Sequence, residues 1–120
     1  MPFRFKSFRV YNEAKAFCKF CRDHVSDKIT DKGLADQICR ALNSIILNIA
    51  EGSADTSDAE FARFLGISIR SVYETVAGFD LAENYDMILS DLNLEIESKA
   101  ERLVKQLSAF RSSLANSQKQ

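Results

Sequence analysis

From Leu34 to Gly52 the apolar residues Leu34, Ile38, Ala41, Leu42, Ile45 and Ile49 recur every three or four positions. That spacing places them on one stripe of an α-helix. A polar line runs beside the stripe at Gln37, Arg40, Ser44, Asn48 and Glu51 with the same periodicity. The stretch predicts one amphipathic helix with a sharp polar edge, closed by Gly52. Phe61, Leu65, Val72, Val76 and Phe79 carry a second stripe just beyond it. The only proline is Pro2 and the four glycines are scattered, so nothing breaks these patterns. Such a chain is expected to be all-α.

Two further helices complete the pattern. Val10, Ala14, Phe17, Cys21 and Val25, with Cys18 beside them, predict a helix over residues 9–26. Leu92, Ile96, Ala100, Leu103, Leu107, Phe110 and Leu114 predict one over 90–115. The middle helices are expected over 32–52 and 57–83. Thr30 or Asp31 suits the N-cap of the second helix, and Ser90 that of the fourth. Ser57 and Glu60 read as a capping box for the third, each satisfying an orphan N–H of the other. Links at 27–31, 54–56 and 84–89 are short, which favours an antiparallel up-down four-helix bundle. At 120 residues the chain is one domain, 1–120, with a modest core. Residues 1–8 alternate Phe with Arg and Lys and are expected to be extended, docking through Phe3, Phe5 and Phe8. The polar tail 116–120 is expected to fray.

Gln37, Ala41, Ser44, Asn48-Ile49-Ala50-Glu51-Gly52, Phe61, Arg63-Phe64-Leu65, Ser71 and Glu74 form a signature. It resembles that of the bacterial four-helix-bundle family encoded in intervening sequences of large-subunit ribosomal RNA genes, whose relatives serve diversity-generating retroelements as accessory proteins. A fainter likeness at Val10-Tyr11 and Ala14 extends it over most of the chain. The family usually has a small residue and a Gly where Ser68 and Arg70 stand, so Arg70 departs from its close-packing pattern. The resemblance implies a non-enzymatic homopentamer that binds nucleic acid, with a reverse transcriptase as a protein partner. It assigns Gln37, Ser44, Asn48, Glu51, Gly52, Arg63, Ser71 and Glu74 a structural part.

Charge adds a second line of argument. The net charge is −1, but residues 1–24 sum to +4 and residues 57–89 to −4. Lys15, Lys19 and Arg22 form a basic line on the first helix, preceded by Arg4, Lys6 and Arg9. Lys99, Arg102 and Lys105 lie on the fourth. In an up-down bundle these helices are neighbours, so the two basic sets are expected to merge into one face for RNA or DNA. Binding there would be weak, insensitive to sequence and steeply salt-dependent. Phe3, Phe5, Phe8, Phe20 and Phe64 are surplus to a core of this size and are expected at an interface between copies.

Other chemistries are weaker. Cys18 and Cys21 form a C-x-x-C pair with His24 and Cys39 nearby, but the pair lies within a helix near its apolar stripe. A redox dithiol requires a helix N-terminus, and a zinc site requires four converging ligands. Small core residues fit better, and no metal or cofactor is expected. Glu51 and Glu74 fall several turns apart on antiparallel helices, too far to share a substrate. Instead Glu51 is expected to take a donor such as Arg63, and Glu74 one from Gln37 or Arg40. A di-iron bundle needs two Glu-x-x-His pairs, and the chain has one His. No phosphate loop or nucleophile elbow occurs, so the chain is not expected to be an enzyme.

Two alternatives to a nucleic-acid accessory factor stay open. One is an assembly module without nucleic-acid binding. The other is a helix-turn-helix regulator with its turn at Gly66 and its reading helix from Ser68 to Tyr73. With no long apolar run and no apolar N-terminal segment, the chain is expected to be cytoplasmic, without a membrane partner and with reduced thiols.

Overall fold

A computed structural model describes residues 2–54 and 57–118, and the side chains of those up to 116. Four helices run Arg9–Lys28 (α1), Lys32–Gly52 (α2), Asp58–Asn84 (α3) and Ser90–Gln118 (α4), after a 3-10 turn at Arg4–Ser7. They make an up-down bundle 50 × 24 × 20 Å in extent. The helices pack around it in chain order. The α2–α3 pair shares the most extensive contact, α3–α4 the next, and α1 touches α4 least.

The starts of α2 and α3 are capped by side chains, whereas α1 starts after Phe8 with no side-chain cap. Asp31, rather than Thr30, caps α2, its carboxylate accepting the Leu34 N–H at 3.0 Å. Ser57 caps α3 by accepting the Glu60 N–H at 3.1 Å. The reciprocal arm of the expected capping box is diverted, because Arg63 holds the Glu60 carboxylate through Nε at 3.0 Å. Asn93 N donates to the Leu89 carbonyl, so α4 begins one residue earlier than a Ser90 cap implies. The end of α3 wraps around Asp86, at φ 62°. Asp86 N reaches Glu83 O and Met87 N reaches Ala82 O, closing the last carbonyls in a left-handed cap.

One expectation holds against its alternative, one is corrected and one boundary moves. First, α3 is unbroken from Asp58 to Asn84. Gly66 lies within it at negative φ, so there is no turn and no separate reading helix, and the helix-turn-helix reading falls. The apolar stripe keeps one phase across Gly66, so bending there would split it between two directions. Second, the N-terminal segment is not extended. A 3-10 turn coils Arg4–Ser7, and Phe8 follows it as an extended cap. Phe5 meets Tyr11 edge-on at 4.9 Å, while Phe8 packs on Phe61 at 6.2 Å and Phe110 at 5.5 Å. Third, α4 extends to Gln118, beyond the expected 115. Residues 55–56 of the expected 54–56 turn, and 119–120 of the tail, lie outside the described residues.

The core is filled by the predicted stripes. Ala14, Cys21, Ile45, Ile49, Leu65, Phe79, Ile96 and Leu107 are fully enclosed. Among the described residues no helix is long and apolar enough to cross a membrane.

Candidate functional site

The polar edge of α2 meets α3 along a seam of small groups. Ser71 Oγ donates to Ser44 Oγ at 2.8 Å across the two helices. Ser68, fully buried, donates to the Ile45 carbonyl at 2.9 Å. Thr75, also buried, turns its hydroxyl back to the Ser71 carbonyl at 2.9 Å. Asn48 stays on its own helix, donating to the Ser44 carbonyl at 2.8 Å and to Ser44 Oγ at 3.0 Å. Glycines bring the backbones together at both ends. A Cβ on Gly52 would stand 2.7 Å from both Phe61 Cδ1 and Phe64 Cβ, and one on Gly78 would stand 2.6 Å from Ile38 Cγ1. Gly52 therefore ends α2 at negative φ, required by close approach rather than by a left-handed cap.

The seam accounts for Ser44, Asn48, Gly52 and Ser71 of the signature. Ala41, Ile49, Phe61 and Leu65 lie in the core, whereas Gln37, Glu51, Arg63 and Glu74 are exposed. Arg63 pairs with Glu60 and stacks on Phe64, 4.7 Å from the ring centroid. Its hydrogen bond holds the Glu60 carboxyl below the usual range. The expected Arg63–Glu51 bond is therefore not formed, because a partner one turn away on the same helix costs less ordering than one across the seam. Glu74, likewise, points to solvent rather than to Gln37 or Arg40. Arg70 is exposed too, so its bulk does not obstruct the seam.

The basic residues divide among different surfaces. Arg4 is engaged in the fold: its Nε donates to the Ser53 carbonyl at 3.1 Å, and its guanidinium lies over Phe8 and Phe61 at 5.7 and 5.8 Å. It thereby sets a positive charge at the negative C-terminal end of α2. Lys6 is exposed, its carbonyl accepting from Asn12. Lys15, Lys19 and Arg22 form one exposed row toward α2. Lys15 lies over Tyr11 at 5.2 Å, Lys19 pairs with Asp23 at 3.2 Å, and Arg22 donates to Asn43 on α2 at 3.0 Å.

Arg9, Lys99 and Arg102 instead line a crevice of about 390 Å³ between α1 and α4. Arg9 binds Glu13 at 2.8 Å. That bond, aided by Gln106 and the charge of Arg102, holds the Glu13 carboxyl below the usual range. The Gln106 side-chain oxygen is enclosed and has no hydrogen-bond partner among the described residues. Lys99 stands 4.8 Å from the Phe20 ring, and Lys105 pairs with Glu101 at 3.5 Å in the open. The expected merged face is thus two faces. The α1 row turns toward α2, whereas Lys99 and Arg102 meet the opposite flank of α1 and Lys105 stands outside the crevice beside Glu101.

On its other flank α4 meets α3 in a groove of about 480 Å³. Val72, Val76, Ala100 and Val104 make the floor; Asp80, Glu97 and Glu101 stand on the rims. Asn93 bridges Asp80 at 3.1 Å and Glu83 at 2.7 Å. Tyr73 projects beside the groove with 66 % of its surface exposed. Sequence reasoning missed this groove. Its signal was present in the acid excess of residues 57–89 and in Glu97 and Glu101, which share a face of α4 four residues apart.

The surplus Phe residues are mostly covered. Phe8 joins the aromatic cluster, Phe20 meets His24 at 4.7 Å, Phe64 lies under Arg63, and of the five only Phe3 is strongly exposed. The exposed large apolar side chains are instead Leu47, Tyr73, Leu81, Tyr85, Leu89 and Leu94. Cys18 and Cys21 are buried, and Cys18 donates to the Leu42 carbonyl at 3.4 Å. Burial pushes the Cys18 thiol up to about 12 and raises Cys21 as well. Both stay protonated at neutral pH, the opposite of a reactive dithiol. No group of three His, Cys, Asp or Glu among the described residues could hold a metal ion.

The fold has a solved counterpart. A crystal structure of a protein of unknown function from the S23 ribosomal protein family of Bacteroides thetaiotaomicron superposes with TM-score 0.76. The match covers 85% of this chain and 97% of that one at 21% identity. No curated protein matches the chain. The model of the 23S rRNA-intervening sequence protein family matches residues 6–109. With the four-helix architecture and the α2–α3 signature in place, the chain belongs to the 23S rRNA-intervening sequence protein family.

Proposed function

We propose that the protein is a non-enzymatic assembly module, a bundle that works as a closed homo-oligomer, with a pentamer the form its resemblance favours. The supporting observation is uncovered apolar surface. Leu89, Tyr73 and Leu94 keep 79 %, 66 % and 63 % of their surface exposed in the single chain, and Leu47, Leu81 and Tyr85 add to them. Tyr73 stands at an open groove floored by Val72, Val76, Ala100 and Val104, and apolar area continuous in this way favours a second protein surface. Light scattering after size exclusion at micromolar concentration tests it. A mass several times the 13.5 kDa chain is expected, and a monomer refutes it.

A second reading adds nucleic acid. The exposed row Lys15, Lys19 and Arg22 supports salt-dependent, sequence-insensitive contact with RNA or DNA phosphates, repeated around the oligomer. Each of the three already has a neighbour in the chain, so the affinity gained per copy is small. Titration of labelled RNA and DNA at low and moderate salt, beside a K15E/K19E/R22E variant, decides it. Loss of low-salt binding in the variant supports the reading, and unaltered binding removes the row. A reverse transcriptase partner and a cytoplasmic location with reduced thiols complete the proposal, both drawn from the resemblance and composition.

A further inference from the structure

The two flanks of α4 are unlike. Toward α3 lies an open apolar groove rimmed by Asp80, Glu97 and Glu101. Toward α1 lies an open crevice with Phe20 and Leu103 in its wall, rimmed by Arg9, Lys99 and Arg102. One surface is acidic over an apolar floor, and the other is basic over an apolar floor. Only Glu13 offsets the cations lining the crevice, and only Lys105, paired in the open with Glu101, offsets the acids on the rims of the groove.

We infer that the α3–α4 groove of one copy receives the α1–α4 face of the next, with Glu97 and Glu101 meeting Lys99 and Arg102 of the adjoining chain. The inference rests on the assembly reading and specifies its contact. Three features carry it. The charges are opposite, which steers encounter and fixes register. Both surfaces are open and apolar beneath their rims, so closing them removes area from water on both sides. Tyr73, the exposed aromatic at the groove, supplies the kind of anchor on which interfaces depend.

The geometry also bears on closure. The two surfaces differ, so the contact is heterologous and repeats head to tail. They occupy neighbouring sides of the bundle that share α4, so successive copies turn about α4 rather than stack in a line, and repetition of the turn closes a ring. It places α4 toward the ring axis and leaves the Lys15, Lys19, Arg22 row on the outside.

Charge reversal tests it, with mass read by light scattering and folding by circular dichroism. E97K/E101K makes both surfaces basic, and K99E/R102E makes both acidic. Each is expected to give a folded 13.5 kDa monomer. The fourfold variant E97K/E101K/K99E/R102E exchanges the two charges and is expected to reassemble to the wild-type mass. If either double variant keeps that mass, or the fourfold variant stays monomeric, the proposed contact is overturned while the assembly reading stands. A monomeric wild type overturns both.

Discussion

The α2–α3 seam and the α1–α4 side are built from opposite materials. At the seam glycine and serine let the backbones approach, hydroxyls cross between helices, and nothing remains to be filled. On the other side long side chains hold two helices apart: Arg9, Glu13, Phe20, Lys99 and Arg102 line an open crevice. Close packing brings dispersion contacts and leaves no room for error. An open, charged crevice contributes little stability but keeps a surface available. The same bundle is thus sealed along one side and unfinished along the opposite one.

The sharpest way to break this contrast is to add a methyl group at the seam and another away from it. Gly52→Ala and Gly78→Ala insert a Cβ at 2.7 and 2.6 Å from neighbouring carbons. Neither Phe64 Cβ nor Ile38 Cγ1 is the free end of a flexible chain. Each substitution should cost about 1–3 kcal/mol in denaturant unfolding. Gly66→Ala is the control. Its new methyl meets only the Arg111 guanidinium at 3.3 Å, which can swing away. The helix propensity of Ala should raise stability by about 0.5–1 kcal/mol. Equal effects at all three glycines would show that the seam is no tighter than the rest.

Next in size is the buried hydroxyl. Ser68→Ala removes the bond to the Ile45 carbonyl and should lower stability by about 0.5–1.5 kcal/mol. Glu51→Ala should leave the unfolding midpoint unchanged, since that carboxylate is exposed. A loss at Glu51 matching that at Ser68 would place an unrecognised partner on the outer face.

Apolar periodicity made the helices legible because burial of a stripe depends only on spacing. It specified four helices, the core residues and the continuity of α3. It did not specify partners for exposed charges. Arg63 chose Glu60 one turn away over Glu51 across the seam, and Arg4 folded into the end of the bundle rather than joining a basic face. Helical phase was the decisive information for the basic residues. Lys15, Lys19 and Arg22 fall on one flank of α1, whereas Arg9, Lys99 and Arg102 fall on the other. Gly78 gave no signal as a contact residue, because a glycine inside a helical pattern looks the same whether it faces Ile38 or water. Asp86 likewise carries a left-handed cap that its residue type only permits. Asp86→Gly should therefore add about 0.5–1 kcal/mol by relieving the positive φ, read from the melting temperature.

The smallest expected effect lies on the open side. Arg9 holds Glu13 below its usual value in the folded chain. That contribution is complete above the ordinary carboxylate range and is lost as pH falls through the lowered folded value. The stability difference between wild type and Glu13→Gln should accordingly shrink as the solution is acidified. A difference that grows in acid would mean that Glu13 is strained, not stabilised, in the crevice.

Amide hydrogen exchange on wild type and E97K/E101K compares the two sides most directly. Exchange along α1, α4 and the turns of α3 around Tyr73 and Ala77 should be faster in the variant, because the wild-type assembly covers those faces. Exchange along the α2–α3 seam, from Ser44 and Ile45 to Ser68 and Ser71, should be equally slow in both. Loss of seam protection together with that of α1 and α4 would contradict the account, since the seam would then owe its closure to a neighbouring copy.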